Sequence, residues 1–527
     1  MTKRRGNTTR ALSPREFLRW IWGQLTSMRT ALLLLLLLAV ASLPGSFIPQ
    51  RRVDSRATLA FESRNPELSP WLDRLGLFDV YSSPWFSAIY LLLMVSLIGC
   101  IVPRTRVYLR ALRARPPKAP KRFSRLPASG SFSTTADVDA VLAAARQTVR
   151  RGRIDIVTSV IPGGATGELR AERGHLRELG NLVFHVSVVV VLIGVAAGSL
   201  LGYRGAVIVT EGQTYANALT QFDEFDSGTW FDPEELPPFS LELDDMIAEF
   251  DVSDGPQRGA PRLFEATGTY RAALDGPTED FSVRVNNPLA IGSTNVFLVG
   301  QGYSPVITVT DPQGVVVFDE AVPFLPEGPT YTSGGVVKVA DARPEQIGMQ
   351  GFFLPTAART REGEPSVSVF PAAANPYIAL QVWTGDLGLD DGVPQSVYVL
   401  DKSRMTQVLD TNGEPFRIEL QPGQATTLPD GTTVAFSELK QFARFQIASA
   451  PLALVPLAGV SVGLGGLMLS LFIRPRRTWV RATSDGTTTV VEVGALDRVP
   501  RDGLPEDLTG FIDRLTSALD SSAGRTP

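Results

Sequence analysis

The sequence predicts an integral membrane protein. It has four transmembrane α-helices, a large extracytoplasmic all-β domain between spans three and four, and a small cytoplasmic α+β module between spans two and three. Three observations lead there. Four apolar runs are long enough to cross a hydrocarbon core of about 30 Å at 1.5 Å per helical residue. Arginine and lysine crowd three of the segments outside those runs. The longest segment between runs is built of short alternating or β-branched stretches broken by glycine and proline.

Residues 1–29 carry Lys3, Arg4, Arg5, Arg10, Arg15, Arg19 and Arg29 against one acid, Glu16. By the positive-inside rule they are a cytoplasmic N-terminus. Span one covers 30–48 and holds the leucine run Leu32–Leu38. Ala39-Val40-Ala41 resembles a signal-peptidase site. The apolar stretch continues to Ile48 and three more spans follow, so it reads as an uncleaved helix. Residues 49–84 form an outer loop, and span two, 85–102, lies between Pro84-Trp85 and Pro103-Arg104.

Residues 103–179 return to the cytoplasmic side with Arg104, Arg106, Arg110, Arg113, Arg115, Lys118, Lys121, Arg122 and Arg125. Asp137–Arg151 has helical spacing, with Val138, Val141, Leu142 and Ala145 on one face. Ile154–Val160 and Gly167–Ala171 look like strands, which gives a small α+β module. Span three is 180–202.

The outer segment, 203–451, has room for one large or two small domains. Its strands are read at Ala206–Thr210, Phe239–Leu243, Phe281–Val285, Val306–Thr310, Val315–Phe318, Val336–Val339 and Ser396–Leu400. Asp311-Pro312-Gln313-Gly314 reads as a hairpin turn. Acids outnumber bases here, as in Asp223-Glu224-Phe225-Asp226. Span four is 452–473. The tail 474–527 opens on Arg474, Arg476, Arg477 and Arg481 and carries a strand, Thr488–Val493, and a helix, Leu508–Leu519, packed near the membrane. Both termini are then cytoplasmic in a multi-pass protein of the cell membrane. Topology and anionic lipid account for the basic flanks, and no nucleic acid is called for.

Catalytic equipment is scarce. The chain has two histidines, His175 and His185, and neither lies in the outer segment, which excludes a Ser-His-Asp triad there. Its single cysteine, Cys100, excludes an internal disulfide and a CxxC redox pair. Zinc-ligand spacing and a Walker A loop are absent. Cys100 reads first as a small hydrophobe, with a redox or haem-contact role as the other option. His175 reads as an interfacial packing residue.

His185 is the candidate site residue, because an ionisable ring inside a span faces a partner, a cavity or a cofactor. Two readings stay open. It is a hydrogen-bonding link to a neighbouring helix, or it is an axial ligand to haem iron.

Five stretches resemble one family. They are SMRTALLLLLLLAVASLPGSFIPQ (Ser27–Gln50), FDVYSSPWFSAIYLLLMVSLIGCIVPR (Phe78–Arg104), AERGHLRELGNLVFHVSVVVVLIGVAAGSLLGYRG (Ala171–Gly205), NNPLA (Asn286–Ala290) and RRTWVR (Arg476–Arg481). In this order the chain resembles, over nearly its whole length, the ResB family of cytochrome c biogenesis proteins of System II.

The resemblance implies a subunit of a cytochrome c synthase (haem lyase) complex, non-catalytic or co-catalytic, that helps move haem across the membrane and deliver it with apocytochrome c for covalent attachment. It implies haem b held transiently and shared with the partner subunit. His185 is the residue that matches the family's haem-contacting histidine in span three. The implied partners are a ResC/CcsA-like membrane protein and apocytochrome c; a thiol-reducing protein is a further partner the chemistry admits. The alternative is a membrane-anchored assembly or scaffold protein that binds a partner or apocytochrome without touching haem.

Overall fold

The computed structural model describes residues 13–53, 55–149, 152–162, 164–174, 176–359, 366–389, 392, 397–497 and 503–523. The chain divides into two compact units, one of residues up to 195 together with those from 452 onward, the other of residues 196–451.

The helices are α1 (Pro14–Leu25), α2 (Met28–Phe47), α3 (Ser55–Arg64), α4 (Ser69–Arg74), α5 (Pro84–Arg113), α6 (Val138–Thr148), α7 (Leu176–Leu201), α8 (Leu454–Phe472) and α9 (Leu504–Ala523). Four of them, α2, α5, α7 and α8, contain the stretches long and apolar enough to cross a membrane. α5 does not stop at Pro103 but runs on to Arg113. Proline costs one backbone hydrogen bond, which a membrane helix tolerates when neighbours supply polar groups.

α1 is an element beyond those expected. A capping box starts it: Ser13 Oγ accepts from Glu16 N, and the Glu16 carboxylate accepts from Ser13 N. Its apolar residues Phe17, Leu18, Ile21 and Trp22 are exposed in this unit.

The segment between α2 and α5 is also built of defined structure, with α3 and α4 in it. Gln50 is buried, donates to the carbonyls of Ile48 (2.9 Å) and Leu77 (3.0 Å), and accepts from Val80 N (3.0 Å). One side chain thereby ties the end of α2 to the approach to α5.

The principal strands are β1 (Ala128–Thr134), β2 (Arg153–Ile161), β3 (Gly164–Arg173), β4 (Tyr203–Thr210), β5 (Ser240–Phe250), β6 (Pro261–Arg271) and β7 (Glu279–Arg284). They continue with β8 (Thr294–Thr310), β9 (Thr332–Val339), β10 (Gln346–Leu354), β11 (Tyr377–Gly385), β12 (Thr433–Ser449), β13 (Arg476–Ser484) and β14 (Thr489–Asp497).

In the first unit, a five-stranded antiparallel sheet has the order β1-β14-β13-β3-β2. α6 and α9 bury its apolar face around Leu142, Leu169, Val480, Val493 and Leu515. The expected α+β module is therefore composite. Residues 103–179 give three strands and α6, while the tail gives two strands and α9. The strand β13 was unread because its arginines were counted as a topogenic flank. Those arginines sit on the sheet: Arg481 donates to Glu168 (3.0 Å), and Arg476 pairs with Asp497 and Asp507.

The second unit is the expected large β-rich region, and it has two cores. One centres on Leu241, Leu243, Val283 and Leu298; the other on Val337, Met349, Phe353 and Leu380. β8 and β12, 17 residues each, pair along their length and feed both cores. At ~3.3 Å per residue such a strand spans about 55 Å. The register shift at Leu298/Gly300 lies between the two cores, where a bulge turns the strand from one to the other, and a second at Val306/Ile307 lies within the second core.

The turn at Asp311–Gly314 forms as read. Asp311 Oδ1 accepts from Gln313 N and Val315 N, and Gly314 takes a φ of 85°. The strand read at Ser396–Leu400 does not form. Ser396 lies outside the described residues, and Val397–Leu400 is turn and irregular chain. Its apolar residues serve instead as a loop in which Leu400 is buried against Trp383 and Leu387.

Candidate functional site

The site is built on α7, and α8 fixes α7 in place. A Cβ on Gly180 would stand 2.5 Å from the Gly466 carbonyl oxygen, and one on Gly466 would stand 2.8 Å from that of Gly180. Gly459 meets Val191, Gly463 meets Ser187, and Gly194 meets Pro456 in the same way. Small residues on both helices let the backbones touch, the packing that holds helices together in lipid.

Below the pair, β3 and β13 are neighbours, with Arg173 opposite Arg476. Gly174, at a φ of 83°, turns the chain against the Arg474 carbonyl. The starts of α7 and β13 are thus tied together.

The opposite face of α7 is open. Arg177, Asn181 and His185 recur every four residues and line one cavity of about 900 Å³. Across it, α5 contributes Cys100, Arg104 and Tyr108, also four apart. Met28 and Ala31 of α2 and Leu97, Ile101 and Leu182 complete apolar walls. α5 and α7 run antiparallel: Tyr90 Oη donates to the Leu192 carbonyl (3.4 Å) at one end, and Tyr108 and Glu178 approach at the other.

His185 is the tenth residue of α7, about 14 Å along the helix at 1.5 Å per residue. It is deeper than a span starting at residue 180 would place it, because the helix begins at Leu176. Its Nδ1 lies 2.8 Å from the Asn181 carbonyl, on its own helix. That carbonyl can only accept, so Nδ1 carries the hydrogen in a neutral ring and Nε2 keeps its lone pair. Phe184 packs edge-on to the imidazole. Among the described residues the ring makes no hydrogen bond to another helix. A link between helices would need one.

Cys100 donates its thiol to the Thr26 carbonyl (2.9 Å), and Ser96 Oγ donates to Leu25 O (2.6 Å). Both bonds hold the α1–α2 junction on α5. Cys100 also lines the cavity, so the structure gives it a bond as well as a packing role. His175 lies outside the described residues. Arg104, Tyr108 and Arg177 were not singled out from the sequence. The four-residue spacing within α5 was hidden once Pro103 was taken as its end.

Comparison with known proteins identifies the chain. A family model described as ResB-like matches residues 28–509. The chain belongs to the ResB-like family. Relatives of this ResB-like protein are named cytochrome c biogenesis protein CcsB. The one from Synechococcus sp. strain RCC307 is 25% identical over 353 residues, 62% of this chain and 74% of the relative. The one from Synechococcus sp. strain CC9311 is 26% identical over 362 residues, 63% and 75% of the two chains. A third, from Thermosynechococcus vestitus, is 29% identical over 202 residues, 37% and 43%.

Proposed function

We propose that this ResB-like protein serves cytochrome c maturation by receiving haem in the α5–α7 cavity and passing it, with a ResC/CcsA-like partner, toward apocytochrome c. The observation that carries the reading is His185. An imidazole with Nδ1 engaged by a carbonyl and Nε2 unengaged is the arrangement of a metal-ligating histidine. It lines a cavity whose remaining wall is mostly apolar, as a porphyrin face requires.

Haem here is cargo, and the chain supplies one axial ligand while the partner supplies the other. Lysine and arginine asymmetry favours termini and the five-stranded sheet on the cytoplasmic side and the 203–451 region outside. His185 then stands nearer the cytoplasmic end of its span, where haem would arrive. The outer β region holds apocytochrome c by adding its extended chain to a sheet edge. Thioether bonds form on the substrate's own thiols, so no nucleophile is required of this chain.

The test is co-expression with a ResC-like partner and purification of the complex. The visible spectrum should show bound haem that falls with His185→Ala while the complex stays intact. Normal haem with an unchanged spectrum in that variant would sink the ligand assignment and favour the scaffold reading.

A further inference from the structure

The geometry points to a carboxylate-binding subsite at the far end of the same cavity, made by Tyr108, Arg104 and Arg177, that selects a tetrapyrrole with free propionates. This inference rests on the haem reading of His185 and adds to it what holds the other end of the molecule.

Tyr108 is 7% exposed, and its hydroxyl is buried without a hydrogen-bond partner. An unpaired buried donor costs free energy unless something arrives to accept from it. Tyr108 lines the cavity rather than a sealed core. Beside it stand two guanidinium groups, Arg104 and Arg177, and among the described residues neither has an ion-pair partner. Three other arginines of this unit do have carboxylate partners: Arg51 three, Arg170 two and Arg476 two.

The placement follows from helix geometry. Arg177 precedes His185 by eight residues, about 12 Å along α7. Tyr108 follows Cys100 by eight on the antiparallel α5 and so lies at the Arg177 end. The cavity is therefore polarised. Imidazole and apolar walls occupy one end; two cations, an unsatisfied hydroxyl and one carboxylate, Glu178, occupy the other, which leaves that end net cationic. A metal-bearing flat apolar body with anionic arms fits that order. Guanidinium forks pair with carboxylates bidentately, and the tyrosine O–H donates to a remaining oxygen.

The test uses the complex with the ResC-like partner in detergent, titrated with iron protoporphyrin IX and with its dimethyl ester, which cannot present carboxylates. Binding is read from the Soret band and tryptophan quenching. The parent complex should bind the free acid at least about tenfold more tightly, the scale of one charge-assisted hydrogen bond. R104Q/R177Q should erase that preference and keep the His185-dependent spectrum. R104K/R177K should restore part of it, and Tyr108→Phe should reduce it. A melting curve for each variant excludes unfolding as the cause.

Equal binding of acid and ester by the parent, with a His185-dependent spectrum, would overturn the subsite and leave the haem reading standing. A preference that survives R104Q/R177Q would overturn the assignment to these arginines. Binding of neither compound would overturn both readings together.

Discussion

The two faces of α7 are made differently. The face toward α8 carries Gly180, Ser187 and Gly194, with backbones in contact and no space left. The face toward α5 carries Arg177, Asn181 and His185 and borders about 900 Å³ of cavity. One face spends its residues on contact, the other on vacancy. A cavity in a membrane helix bundle collapses unless something else holds the helices apart. Here the close α7–α8 seam and the hydrogen bonds from α5 to Leu25 and Thr26 do the holding. Position and chemistry are thus carried by opposite sides of one helix.

That division predicts that changes on the closed face abolish everything, while changes on the open face abolish binding alone. Gly180→Leu is the largest break. Its Cβ alone would stand 2.5 Å from the Gly466 carbonyl. Overpacking of this kind costs about 1–3 kcal/mol or more. Both the melting temperature in detergent and bound haem should fall; a stable variant with full haem would refute the seam's role.

His185→Ala comes next and should separate the two properties. Haem recovered with the complex should fall several-fold, with the melting temperature of the haem-free chain unchanged, and added imidazole should restore part of the spectrum. A drop in thermal stability of the haem-free protein would show that the open face is structural after all.

Gln50→Ala removes a buried side chain that makes three hydrogen bonds between the α2 end and the α5 approach. Leaving buried backbone groups unpaired costs about 1–3 kcal/mol. Stability should fall by that scale, measured by thermal melting, with haem affinity changed far less than by His185→Ala.

The smallest effect concerns neither face. In the β13–β14 turn, the backbone N–H groups of Thr488 and Thr487 hold the Asp485 carboxylate at about 2, against an ordinary 3.8. The folded value lies below the unfolded one. Its stabilisation is therefore present above 3.8 and is lost as pH falls from 3.8 to about 2. Asp485→Ala should melt slightly earlier than the parent at pH 6, and the gap should close on acidification through that window. A gap that persists at pH 2 would refute the assignment.

Much of the membrane layout could be read from the sequence because hydrophobic length is a one-dimensional signal. The leucine run of α2 and the valine-rich stretch of α7 announce themselves without reference to any neighbour. His185 was legible for the same reason: a lone ionisable ring stands out against an apolar run. The rest depended on residues far apart in the chain. Arg476–Arg481 reads locally as a basic flank, and only pairing with β3 and β14 makes it a central strand. The cavity needs Tyr108 and Arg177 to meet across two helices, and no local pattern encodes that. α1 was the avoidable omission, since Ser13-Pro14-Arg15-Glu16 is a capping box with proline at the first helical position.

The mixed ancestry of the five-stranded sheet also sets a timetable. β3 bonds to β13 across 316 residues of chain, as in the bond from Thr166 Oγ1 to the Ala482 carbonyl. A ribosome delivers β1, β2, β3 and α6 early, yet the strands that complete their sheet and the helix that seals their core emerge only after residues 203–451 and α8 have been made. Until then the core around Leu142 and Leu169 lacks Val480, Val493 and Leu515. Closing a loop of that length adds an entropic cost that grows only with the logarithm of its size, so the delay is one of synthesis rather than of equilibrium. A nascent chain that stalls before residue 476 therefore has an unfinished sheet at the foot of α7.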